Sequence, residues 1–278
     1  MQKRLITIFI HGTVPPDTLR NLPILKDIFW CPLGLHPLTS LEEHHLVTLG
    51  YLMCTTNSRL FDKDFFYLFG WTGKLLSSER KKAAAELYAQ LSELTNKLLL
   101  QGTIASFRLI AHSHGGNVAL NLSRIKSTAI LCIEEVILIA CPVQKETAPY
   151  INSSMFRSII SIHSHFDIIQ KIDPQGVYNF LESIKSKGLE FTVTHLKQVG
   201  PFFSLRHFEN ASNLIEVHAK YSHRELLHIE FIQHEFIEAL PALIECMENS
   251  QIEKPGIGQE ITYILDKNKE CSFSITKK

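Results

Sequence analysis

Residues 108–117 read Arg108-Leu109-Ile110-Ala111-His112-Ser113-His114-Gly115-Gly116-Asn117. Phe107 to Ala111 has the length and apolar character of a buried strand. Behind it a helix is expected from about Gly116 to Ser127. A strand that turns directly into a helix at Ser113 forces unusual backbone angles on that serine. It also crowds the neighbouring chain, so small residues are needed two positions before and two after. Ala111 and Gly115 supply them, although glycine is usual at both places and Ala111 departs from it by one methyl group. Such a turn lifts the Ser113 hydroxyl clear of the sheet. It also sets the His114 amide at a helix N-terminus, where free N–H groups and the helix dipole favour negative charge.

Upstream, Thr7-Ile8-Phe9-Ile10-His11-Gly12-Thr13 ends a second buried strand, Leu5 to Ile10, on a His-Gly step. In a parallel sheet, two loops that each follow a strand meet at the same end. Acyl transfer needs a second backbone donor facing the oxyanion that develops on the substrate, and this loop is placed to give it. The Thr13 amide is assigned that role, with Gly12 allowing the bend. His11 is expected to brace the loop through hydrogen bonds rather than to react.

A serine activated in this way needs a base, and the base needs an orienting acid; in chain order they follow as Ser, Asp or Glu, then His. The strand Ser158 to His163 leads to Asp167, the expected acid, with Asp173 as the alternative deeper in the same loop. Leu214 to Val217 is the last strand of the main series, and Ser222-His223-Arg224-Glu225-Leu226 follows it. His223 is therefore the expected base. His218 falls within the strand, and His228 and His234 read as helical and too far along.

The rest of the chain alternates short apolar runs with helical patterns, which implies a mostly parallel sheet with helices on both faces. Phe65 to Phe69 and Val136 to Ala140 are further strands. Ala84, Leu87, Leu91, Leu94 and Leu98 make the apolar face of a helix capped by Ser77 or Ser78 and ended by Gly102. Leu226, Ile229, Phe236, Leu240 and Leu243 mark a last helical pattern that Pro241 kinks or divides. Residues 14–64 and 168–213 are too long for ordinary connections. Both flank the expected site, and insertions there shape a pocket or lid. Their apolar residues, Ile24, Leu25, Ile28, Phe29, Trp30, Leu33 and Leu35, then Phe202, Phe203 and Leu205, line an acyl pocket on that reading or belong to the core. The α/β domain is expected over 1–249. A polar tail, 250–278, carries one strand-like run, Ile261 to Leu265, which either adds an edge strand or stays loosely attached.

Lys+Arg and Asp+Glu are equal at 28 each, so no net field attracts a polyanion and nucleic-acid binding is disfavoured. The N-terminal apolar run is too short for a signal peptide, and no segment reaches the length of a membrane span. The six cysteines lack metal-like spacing and read as reduced thiols, with a cytoplasmic location expected. Peripheral membrane contact and oligomeric state stay open.

TIFIHGT, AHSHGGN, a late Asp and a late His together resemble the α/β-hydrolase superfamily. The likeness is to lipase-like and esterase-like members with an HSxGG nucleophile elbow, including serine esterases and GPI-inositol deacylases. It runs over roughly residues 4 to 248 and rests on the two short motifs. Phe69-Gly70-Trp71-Thr72-Gly73, with Arg80 and Ala83 to Ala85, is similar to a strand-to-helix segment of bacterial members, and no chemistry is assigned to it. The resemblance implies a serine hydrolase that acts on a small-molecule or lipid ester without a cofactor or metal.

Two other readings stand beside it. His163-Ser164-His165-Phe166-Asp167 has an HxHxD spacing, like part of the metallo-β-lactamase motif, although Ile168 stands where that motif needs His. Alternation puts His163 and His165 on one strand face, able to share a metal with Asp167 in a metal-dependent hydrolase. A non-catalytic binding protein of the same fold is the third, because fold alone does not fix function.

Overall fold

Strand β1 (Gln2–Ile10) sends Ile6, Ile8 and Ile10 into one apolar core and Phe9 into another. The same alternation holds in β4 (Thr103–His112), where Phe107, Leu109 and Ala111 face the first core and Ile110 the second. A strand whose two faces are both apolar must be covered on both sides, which is why these runs form the centre of a layered α/β structure. In the computed structural model, the residues described are 1–14, 31–126, 131–167, 207–208, 211–249, 260–267 and 273–277.

Among the described residues the other strands are β2 (Gly34–Pro37), β3 (Phe66–Gly70), β5 (Ile133–Ile139), β6 (Ile159–His163), β7 (Leu214–Lys220), β8 (Glu260–Lys267) and β9 (Phe273–Lys277). They form one nine-stranded sheet in the order β2-β3-β1-β4-β5-β6-β7-β8-β9. Pairing is parallel from β3 through β8, and β2 and β9 are antiparallel at the two edges.

Helix α2 (Ser77–Leu100) covers one face through Ala84, Leu87, Leu91, Leu94 and Leu98, joined there by α3 (His114–Asn121). Helices α1 (His45–Thr56) and α4 (His234–Asn249) cover the other. Each fully buried aliphatic side chain in these layers contributes about 1.5–3 kcal/mol. Arg108 is the exception on the α1/α4 side. It is buried yet paired with Glu135 at 2.6 Å and Glu248 at 2.7 Å, as a buried cation must be.

Several boundaries differ from the sequence reading. The helix after Ser113 begins at His114 and gives way to a 3₁₀ turn, Leu122–Arg124. Helix α4 continues through Pro241 without dividing. The second half of the 14–64 segment supplies β2 and α1, which belong to the sheet and the core rather than to a lid. From the segment read as a tail come β8 and β9, which extend the sheet. Residues 15–30 and 168–206, with Ile24, Trp30, Asp173, Phe202 and Phe203 among them, lie outside the described residues.

Strand β1 lies between β3, which follows it in the chain, and β4, which follows β3. The chain order therefore reverses at the β1/β4 boundary. In open α/β sheets, ligands bind outside the carboxyl ends of the strands at such a reversal. His11-Gly12-Thr13 leaves β1 at this point, and Ser113 leaves β4 beside it.

Candidate active site

Ser113 has φ 52° and ψ −131°, a backbone conformation that costs a non-glycine residue on the order of 1–3 kcal/mol. The surrounding structure holds it there. Its amide donates to the Ile139 carbonyl at 2.8 Å, and its own carbonyl accepts from the Gly116 amide at 3.0 Å. The close fit explains the small neighbours. A Cβ at Gly115 would lie 2.5 Å from the His11 carbonyl oxygen, and one at Gly12 would lie 2.8 Å from the Ser113 Cβ. The two loops are thus in van der Waals contact. Ala111 is fully buried, so its extra methyl group is accommodated.

The imidazole beside Ser113 belongs to His228. Its Nε2 lies 3.0 Å from the Ser113 Oγ, and its Nδ1 lies 2.8 Å from Asp167 Oδ2. An ionised carboxylate only accepts, so Nδ1 carries the proton toward Asp167 and Nε2 is free to accept from the serine hydroxyl. Asp167 is buried in the tight turn after β6, where its amide donates to the Ser164 carbonyl at 3.3 Å. The structure therefore brings Asp167 and His228, and not His223, together with Ser113.

His223 is exposed and stacked on Tyr221 at 6.1 Å between ring centroids, at the tip of a reversal after β7. The Tyr221 amide donates to the Arg224 carbonyl at 2.9 Å, and Lys220 bridges Glu225, so the chain folds back here instead of starting a helix. Arg224 then pairs with Glu230, whose carboxylate accepts from the Leu227 amide at 2.7 Å. These bonds set the 3₁₀ turn His228–Ile232 so that its first side chain points at Ser113. The apolar spacing of Leu226 and Ile229 gave the impression of one continuous helix. Its first turn is separate, and His228 opens it.

His11 acts through its bonds. The Trp71 amide donates to His11 Nε2 at 3.0 Å, so Nδ1 carries the hydrogen and donates to the Gly12 carbonyl at 2.8 Å. The Trp71 indole N–H donates to the His11 carbonyl at 2.8 Å, and the two rings stack at 5.9 Å. The Val14 amide donates to the Gly73 carbonyl at 3.1 Å. The Phe69–Gly73 stretch, to which the sequence reading assigned no chemistry, is thus the clamp on the loop that carries Thr13. The aromatic residue between two glycines was the available signal.

The His114 amide opens α3 and has no helical carbonyl four residues back to donate to. Burial pushes the His11 imidazole down to about 4, and drives His112 and His114 well below the ordinary histidine range. Burial thus favours the neutral form of these three rings, and His112 lies 5.1 Å from His228 between ring centroids. On the far side of α3, the Asn117 side chain donates to the Pro142 carbonyl at 3.0 Å and accepts from the Thr147 hydroxyl, fixing the helix against the loop after β5.

The HxHxD grouping does not assemble as one set. Asp167 stands with His228, whereas His163 and His165 face Glu260. The five described cysteines form no disulfide, and no helix among the described residues is long and apolar enough to cross a membrane. No protein-family model matches the chain, and no curated protein matches it.

Proposed function

We propose that this chain is a serine hydrolase of the α/β-hydrolase fold, cleaving a carboxylic ester through an acyl-enzyme on Ser113. The observation that carries the reading is the relay from the Ser113 hydroxyl through His228 to Asp167, with steps of 3.0 and 2.8 Å. His228 removes the hydroxyl proton as the oxygen attacks the substrate carbonyl, and Asp167 stabilises the imidazolium that results. The Thr13 and His114 amides receive the oxyanion, a contribution of ~3–4 kcal/mol per donor in enzymes of this kind. Protonated His228 then passes its proton to the departing alcohol. Water, activated by the same imidazole, releases the acid.

The strand order and the antiparallel β2 at one edge support the hydrolase form of the fold. Asp167, the third residue of the metal-dependent alternative, stands with His228 and apart from the pair His163 and His165. The purified protein should react with a fluorophosphonate probe, and Ser113→Ala should abolish that labelling. Undiminished labelling of the variant would remove Ser113 from the role. A series of p-nitrophenyl esters of increasing acyl length would then define the substrate.

A further inference from the structure

Behind the proposed triad, His163, His165, His218, Glu225 and Glu260 converge across the adjacent strands β6, β7 and β8. Strand register accounts for the meeting. His163 pairs with His218, and His218 with Thr262. Glu260 lies two residues before Thr262, on the same face of β8. Its carboxylate spans two imidazoles, with Oε2 2.6 Å from His163 Nε2 and Oε1 3.1 Å from His165 Nε2. One donor atom from each of these three residues lies within 4.8 Å of the others.

We infer that His163, His165 and Glu260 form a binding site for a zinc-class divalent cation, separate from the proposed catalytic relay. Two imidazoles and one carboxylate suit zinc and the neighbouring transition metals better than calcium or magnesium, which prefer all-oxygen sets. Bonds of about 2.0–2.2 Å to a common ion would take the place of the two hydrogen bonds between Glu260 and the imidazoles. The surroundings fit a metal site as well. His218 stacks face to face on His165 at 3.7 Å and is itself held through Nε2 by Glu225 at 2.7 Å, so the ring packed against the ligand is fixed. The same carboxylate accepts from the Ser164 hydroxyl at 2.9 Å and the His165 amide at 3.3 Å, which fixes the backbone between the two histidine ligands. His163 is buried while the His165 side chain is 41% exposed, so an ion can reach the site from solvent.

The test uses the full chain after treatment with a chelator and removal of the chelator. Titration with zinc chloride should show one equivalent bound and a raised Tm. Cobalt(II) should give the visible absorption of a low-coordinate ion with imidazole ligands. Glu260→Gln preserves shape and removes the charged ligand, and His165→Ala removes the exposed one. Each should weaken binding by about tenfold or more, with the metal-free Tm recorded to show that the variant folds. Absence of stoichiometric binding to the parent chain would overturn the site, and so would unchanged affinity in both folded variants. Neither result depends on Ser113 reactivity, so failure here leaves the hydrolase reading standing, and the reverse also holds.

Discussion

His223 and His228 are five positions apart, and the reversal at Tyr221–Arg224 determines which of them meets the serine. Substitution of each distinguishes the two directly. On the proposed mechanism, His228→Ala should lower the rate of probe labelling or ester cleavage by about 10⁴-fold or more, as loss of the base does in serine hydrolases. His223→Ala should stay within about twofold, since exposed side chains away from a site contribute little. Equal losses in both would contradict the relay. Ser113, Asp167, Gly12 and Gly115 were legible because each is tied to a local backbone event: a bend, a strand end or a close approach. The position of His228 was not, because it depends on the Arg224–Glu230 pair and the Lys220–Glu225 bridge. Nothing in residue spacing distinguishes a fold-back from the start of a helix.

Among the elements, the β3 exit is the one whose part in the site is least visible in the sequence. The burial pattern of β3 was readable from its apolar residues, but the clamp it makes on the loop after β1 is a contact between segments 60 positions apart. Trp71→Phe keeps the ring and removes the donor to the His11 carbonyl. The orphaned buried acceptor should lower stability by about 1–3 kcal/mol. Loosening of the Thr13 loop should also slow labelling between about tenfold and hundredfold, because small misplacements of catalytic donors are costly. A lower Tm with an unchanged labelling rate would restrict Trp71 to packing.

At the scale of the whole molecule, burial holds His11, His112 and His114 below the ordinary histidine range, and this gives stability a defined dependence on pH. His11 titrates at about 4 in the folded chain and near 6.5 when unfolded. Between those values the unfolded chain binds more protons, so stability is fully present above pH 6.5 and falls as the pH drops toward 4. For His11 alone the loss is on the order of 3 kcal/mol, and burial shifts His112 and His114 in the same direction. Urea midpoints measured across this range should fall with acidity. His11→Gln, which keeps a donor and an acceptor but does not titrate, should flatten the fall. An unaltered slope would mean that other groups dominate acid unfolding. The layered architecture and central strands were readable from apolar alternation. The strand character of Ile261 to Leu265 was readable as well, but its place between β7 and the edge strand β9 was not, since pairing needs a finished sheet.

The order in which the proposed relay is assembled along the chain has a consequence for synthesis. The serine and its strained bend arise from β4, whereas the imidazole arrives only after β7 has been made and joined to β6. A nascent polypeptide halted on the ribosome before residue 228 would present the hydroxyl with no partner to deprotonate it. On the proposed reading, chemical competence would then be acquired only near the end of translation.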